Sequence, residues 1–107
     1  MQLKRTIFNV DISGTTYRFA ERTLREIENL VSQETAAFEE KQYAKLKMIH
    51  FDFVLKALND VPDGEKVTVE DLKDNMGGPT FASLYGAVLG AQGIKLEAKN
   101  LGESLPS

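Results

Sequence analysis

Apolar and polar residues alternate from Phe8 to Phe19, interrupted once at Ser13-Gly14. A period of two predicts half-buried strands, so residues of about 6–12 and 15–20 form a β-hairpin whose two-residue connector uses glycine to supply a positive φ. With Ser13 and Gly14 as the loop, Ile12 faces Thr15, Val10 faces Tyr17 and Phe8 faces Phe19. One side of the ribbon is therefore apolar and must be covered. The helix opening at Thr23 is the nearest cover, because Thr23 and Glu26 have the spacing of a capping box, in which each residue satisfies the other's free N–H.

No glycine or proline occurs between Gly14 and Pro62, so residues 24–59 are free to be helical. The apolar pattern changes partway. Leu24, Ile27, Val31 and Phe38 make a narrow seam at roughly heptad spacing, with charge around it. From Ala44 to Leu58 the apolar surface broadens. Leu46, Ile49, Phe53 and Ala57 mark one face and Met48, Phe51, Leu55 and Leu58 another, leaving Lys45, Asp52 and Lys56 as a thin polar stripe; such a helix has to be surrounded. Between the two patterns, Ser32 and Thr35 are candidate caps, which predicts helices near 24–34 and 36–59 with a break between them. One long bent helix is the alternative, and its seam would project beyond the core and invite a partner helix.

Val61-Pro62-Asp63-Gly64 then makes a turn, and Thr68, three residues before Asp71, caps a short helix near 69–76. Gly77-Gly78-Pro79 ends it, and a last helix near 80–91 turns Phe81, Leu84, Tyr85, Val88 and Leu89 inward. Gly86 and Gly90, four apart, lower helix stability, so close backbone packing is expected to compensate. The fold class is α+β and predominantly helical. It forms a single domain over 1–99, with a flexible C-terminal tail at 100–107.

Composition narrows the picture. A chain of 107 residues is one domain, large enough for a core without covalent staples. There is no cysteine, hence no disulfide framework and no thiolate ligand or nucleophile. Thirteen basic and sixteen acidic residues give a net charge of −3. They are interspersed, so no basic face offers itself to nucleic acid. The basic N-terminus leads into a strand rather than a secretion signal, and no segment is apolar enough to span a bilayer. A cytoplasmic protein that binds neither nucleic acid nor membrane is expected.

Candidate chemistry is sparse. Asn59 to Glu70 places Gly64 sixth and Glu70 twelfth in a calcium-loop spacing, but Asn59 stands at the first position, Val61 replaces the third ligand and Pro62 stiffens the loop. His50 is the sole histidine, set between Ile49 and Phe51. Zinc needs three or four ligands, and Asp52 points to another face, so His50 is read as a hydrogen-bonded core or interface residue. Gly77-Gly78-Pro79-Thr80 lacks the lysine and the preceding strand of a phosphate-binding loop. No catalytic set, metal site or cofactor site is expected. What remains is apolar surface: the hairpin, the broad helix and the Tyr85 helix present more than a short chain easily hides, which predicts a homo-oligomer or a bound protein partner. The alternative is a monomer in which these faces form the core.

The string Phe8-x-Val10-x-Ile12-x-Gly14-x-x-Tyr17-x-Phe19-x-Glu21-x-Thr23-x-x-Glu26 resembles the opening of small tail assembly chaperones of long-tailed bacteriophages. These often begin with a short hairpin carrying a Gly-x-x-Tyr-like turn, a threonine-capped helix and a largely helical body. The resemblance covers about residues 6 to 31. It implies a non-catalytic protein in the host cytoplasm that self-associates, binds the long helical tape measure protein and helps recruit tail tube subunits. Its members are often made with a frameshifted extension. The candidate partner contacts are Leu24, Ile27, Val31 and Phe38 on one seam, and Phe81, Tyr85 and Val88 on another. A small monomeric regulatory or inhibitory protein-binding module is the competing expectation.

Overall fold

The computed structural model describes residues 4–93. The outer part of the expected domain, 94–99, and the expected tail at 100–107 lie outside the described residues. The elements are β1 (Ile7–Ile12), β2 (Thr15–Ala20), α1 (Leu24–Glu39), α2 (Tyr43–Asn59), α3 (Val69–Asn75) and α4 (Gly78–Ala91). The expected class is what forms, an antiparallel hairpin followed by four helices. Among the described residues no helix is long and apolar enough to cross a membrane.

The hairpin has the register that its alternation requires, with Phe8 opposite Phe19, Val10 opposite Tyr17 and Ile12 opposite Thr15. The Phe8 and Phe19 rings stack with centroids 5.5 Å apart. Ser13 and Gly14 both take positive φ, 52° and 85°, as a turn matched to the right-handed twist of two strands demands. On the opposite side of the ribbon Thr16 donates its hydroxyl to the Asp11 carboxylate, a polar cross-strand pair facing water.

The cover of the hairpin is not the helix nearest in sequence. α2 packs on β2 and α4 packs on β1, while α1 lies chiefly against α2. The reason is width. α1 buries only Leu30 and Ala37, one line of small extent, whereas α2 brings Phe53, Val54 and Ala57 and α4 brings Leu84, Val88 and Leu89. These six, with Phe19 and Leu30, form a single core on which Phe8, Val10, Ile12 and Tyr17 rest. Burial of this apolar surface is the main force holding the helices to the ribbon.

The expected capping box forms between Thr23 and Glu26 at the start of α1, and the cap expected of Thr68 at the start of α3 is a full box with Asp71. The break between α1 and α2 falls elsewhere than at Ser32–Ala37. α1 runs through that stretch to Glu39 with Glu40 as its C-cap, and Lys41 just beyond adopts a left-handed φ of 57°. Gln42 N–H then reaches the Ala37 carbonyl at 2.8 Å and Lys41 N–H the Phe38 carbonyl at 3.1 Å. This is a Schellman ending with lysine where glycine is usual. The last helix also starts earlier than 80, with Gly77 as N-cap and Pro79 in its first turn. A Cβ on Gly90 would meet open space, so the close backbone approach expected there is not made.

The polar anchor of the fold is Arg22, whose side chain is 1% exposed. It donates to Asp60 at 2.6 Å, to Glu26 at 3.3 Å and to the Ala20 carbonyl at 3.3 Å, while its backbone N–H reaches the Gln92 side chain at 2.8 Å. One residue thus ties the end of β2 to the start of α1 and the ends of α2 and α4. Asp60 caps the C-terminus of α2, where the helix dipole disfavours a carboxylate. Arg22 and Arg5, the latter also at 2.6 Å, offset this. Burial pushes the Asp60 carboxyl up, but the hydrogen bonds and charges of the two guanidinium groups outweigh it and hold it below the usual range.

Candidate functional site

The two predicted seams meet different fates. Leu24, Val31 and Phe38 stand seven residues apart on α1 and are 80%, 52% and 64% exposed. Ile27 is half-buried beside them. Over about 24 Å of helix, α1 therefore turns one apolar line outward and another, Leu30 and Ala37, inward. The outward line continues across the elbow, where the Phe38 and Tyr43 rings meet edge to face at 6.1 Å. Tyr43 and Met48 are themselves exposed.

On α4, Val88 is fully buried in the core, so it serves packing and offers no surface to a partner. Phe81 and Tyr85 are half-buried. With Phe51 of α2 they wall a cavity of about 480 Å³ between α2, α3 and α4. The Phe51 and Phe81 centroids lie 4.8 Å apart, and Phe81 stacks nearly parallel to Tyr85 at 6.3 Å.

Behind this cavity stands a polar cluster that joins three helices. His50 of α2 stacks on Tyr85 of α4 at 4.3 Å. Glu34 of α1 takes hydrogen bonds on one oxygen, Oε2, from both the His50 Nε2 at 2.5 Å and the Tyr85 hydroxyl at 2.8 Å. An ionised carboxylate only accepts, so the imidazole Nε2 carries the proton it shares with Glu34. Burial raises the Glu34 carboxyl, but the His50 and Tyr85 hydrogen bonds prevail and leave it below its ordinary value. Tyr85 is driven the other way: burial, and then the hydrogen bond to the Glu34 anion, raise its hydroxyl far above the usual range.

A carboxylate that orients an imidazole is half of a hydrolytic relay. The cavity beside it is lined by no serine, threonine or cysteine among the described residues, and the Tyr85 hydroxyl is committed to Glu34. The cluster fastens α1 to α2 and α4. His50 thus has the hydrogen-bonded role expected of it, with a partner that sequence reading did not find. Glu34 lies sixteen residues away on another helix, and no short-range spacing signals the pair. Asp52 is exposed and turned away, as its offset from His50 requires.

The calcium-loop spacing is put to another use. The Asn59 side chain accepts from the Val67 N–H at 2.7 Å and donates to the Val67 carbonyl at 2.8 Å, clamping the turn that Gly64 N–H closes on the Val61 carbonyl at 3.1 Å. Among the described residues no group of three or more metal-ligating side chains gathers. No family model, no curated protein and no solved structure matches the chain.

Proposed function

We propose that this protein is a non-catalytic assembly chaperone of the phage tail type, which receives an amphipathic helix of a tape measure-like partner along the outward line of α1 and helps recruit tail tube subunits. The observation that supports the reading is the exposure of Leu24, Val31 and Phe38 at heptad spacing on one helix. A strip of this kind is satisfied by the apolar stripe of another helix, through side chains that interlock at i and i+7. Such a protein acts in the host cytoplasm, and self-association through the same strip would keep it covered until the partner arrives.

The test is coexpression with a long helical tape measure fragment, followed by capture and light scattering over a range of concentrations. The wild-type chain is expected to form a multimer and to retain the fragment. Leu24→Glu with Val31→Glu should abolish both while leaving the circular dichroism unchanged, since both side chains point to water. A strict monomer that retains no fragment overturns the proposal. One observation favours the competing reading of a monomeric regulatory module: the apolar faces of the hairpin and of α2 are largely consumed inside the chain's own core. The same scattering experiment separates the two.

A further inference from the structure

The cavity between α2, α3 and α4 has a charge pattern at odds with the chain around it. The protein carries 16 acidic and 13 basic residues, yet the charged residues of the lining are Lys47 and Lys73, with no carboxylate. Its floor is aromatic. Phe51, Phe81 and Tyr85 present ring faces within 4.8 to 6.3 Å of one another, and the Lys73 ammonium lies 6.0 Å from the Phe51 centroid. A volume of about 480 Å³ is in the range of sites that take an organic group. The Glu34 carboxylate stands behind His50 and Tyr85 and is engaged by their hydrogen bonds.

We propose that this cavity is a docking site for a segment of a protein partner that presents an aromatic or large aliphatic anchor flanked by carboxylates. Two features fix the occupant. Aromatic walls reward an apolar group, and the two exposed lysines of the lining reward negative charge beside it. The cavity is open, since Lys47, Lys73, Gly77, Gly78 and Ala82 are all exposed. A free small molecule would stay partly in water there. A side chain carried on a polypeptide brings neighbours that cover the rim, as anchor residues do at the centre of an interface. The site lies on other helices than the α1 strip and does not depend on the reading given to that strip.

Nuclear magnetic resonance titration of the full chain tests this with two synthetic peptides of the same length. Each carries phenylalanine and leucine anchors at i and i+3, one surrounded by glutamates and the other by lysines. The acidic peptide is expected to bind saturably, with shifts centred on His50, Phe81 and Ala82, and the basic peptide not to bind. Ala82→Trp, which fills the mouth from an exposed position, should weaken binding by about tenfold or more. Lys47→Glu with Lys73→Glu should weaken it by about tenfold, with less dependence on salt. Leu24→Glu with Val31→Glu should leave it unchanged, which separates failure here from failure of the α1 reading. Equal binding of the two peptides, unchanged binding by both cavity variants, or shifts that fall on α1 would overturn the proposal. So would saturation by phenylacetate at concentrations where the acidic peptide is silent, which would mark a site for small organic acids.

Discussion

At the elbow between α1 and α2 a single residue carries conformational cost. Lys41 holds a φ of 57°, a region in which an L side chain costs roughly 1–2 kcal/mol and glycine costs little. Lys41→Gly is therefore expected to stabilise the chain by about 1 kcal/mol, read as a rise in the urea midpoint at constant slope. This also explains why the break was invisible in sequence. Helix ends are recognised by glycine or by a following cap, and Glu40-Lys41-Gln42 offers neither. Ser32 and Thr35 do carry cap chemistry, but both lie exposed along a continuous helix. The N-terminal caps, by contrast, could be read directly. A threonine followed three residues later by an acid is a local pattern, and at Thr23 and Thr68 nothing distant competes with it.

Between elements, the Glu34 carboxylate is the fastener whose behaviour pH should reveal. Its folded pKa is depressed below the ordinary 4.5, so the stabilisation it supplies is complete above that value and is lost as pH falls through and below it. Glu34→Gln is expected to cost about 1–2 kcal/mol at neutral pH, and the gap from the wild type should close in acid. Tyr85 gives the opposite sign. Its folded pKa is raised above 10.0, so its contribution is complete below that pH and fades as the solution becomes more alkaline. Tyr85→Phe should remove this alkaline loss, and denaturant melts at several pH values of the wild type and the two variants check both limbs. None of this is legible in the sequence, because Glu34 is one charge among many on α1 and meets His50 only when the two helices pack, sixteen residues apart along the chain.

For the whole molecule, the decisive fact is that the hairpin is covered by α2 and α4. Leu84, fully buried in the shared core, is expected to cost about 3 kcal/mol as Leu84→Ala, because the lost transfer energy is joined by a cavity that the surrounding helices cannot close. A lower thermal midpoint with a single cooperative transition would be the signature, since ribbon and helices share one core. The hairpin register was legible because alternation and a two-residue turn leave one solution. Its cover was not, since neighbours in the chain are only a first guess at neighbours in space when α1 is too narrow for the task. The order of synthesis follows from this. A two-stranded ribbon is marginal by itself in water, and the side carrying Phe8 and Phe19 is fully covered only when α4, which ends at Ala91, has followed α2. At roughly 5–20 residues per second, the ribbon waits several seconds for its cover to be completed. The ribbon, made before the helices that cover it, is thus among the last elements to be secured, and its exposure during that interval is a hazard that the finished fold conceals.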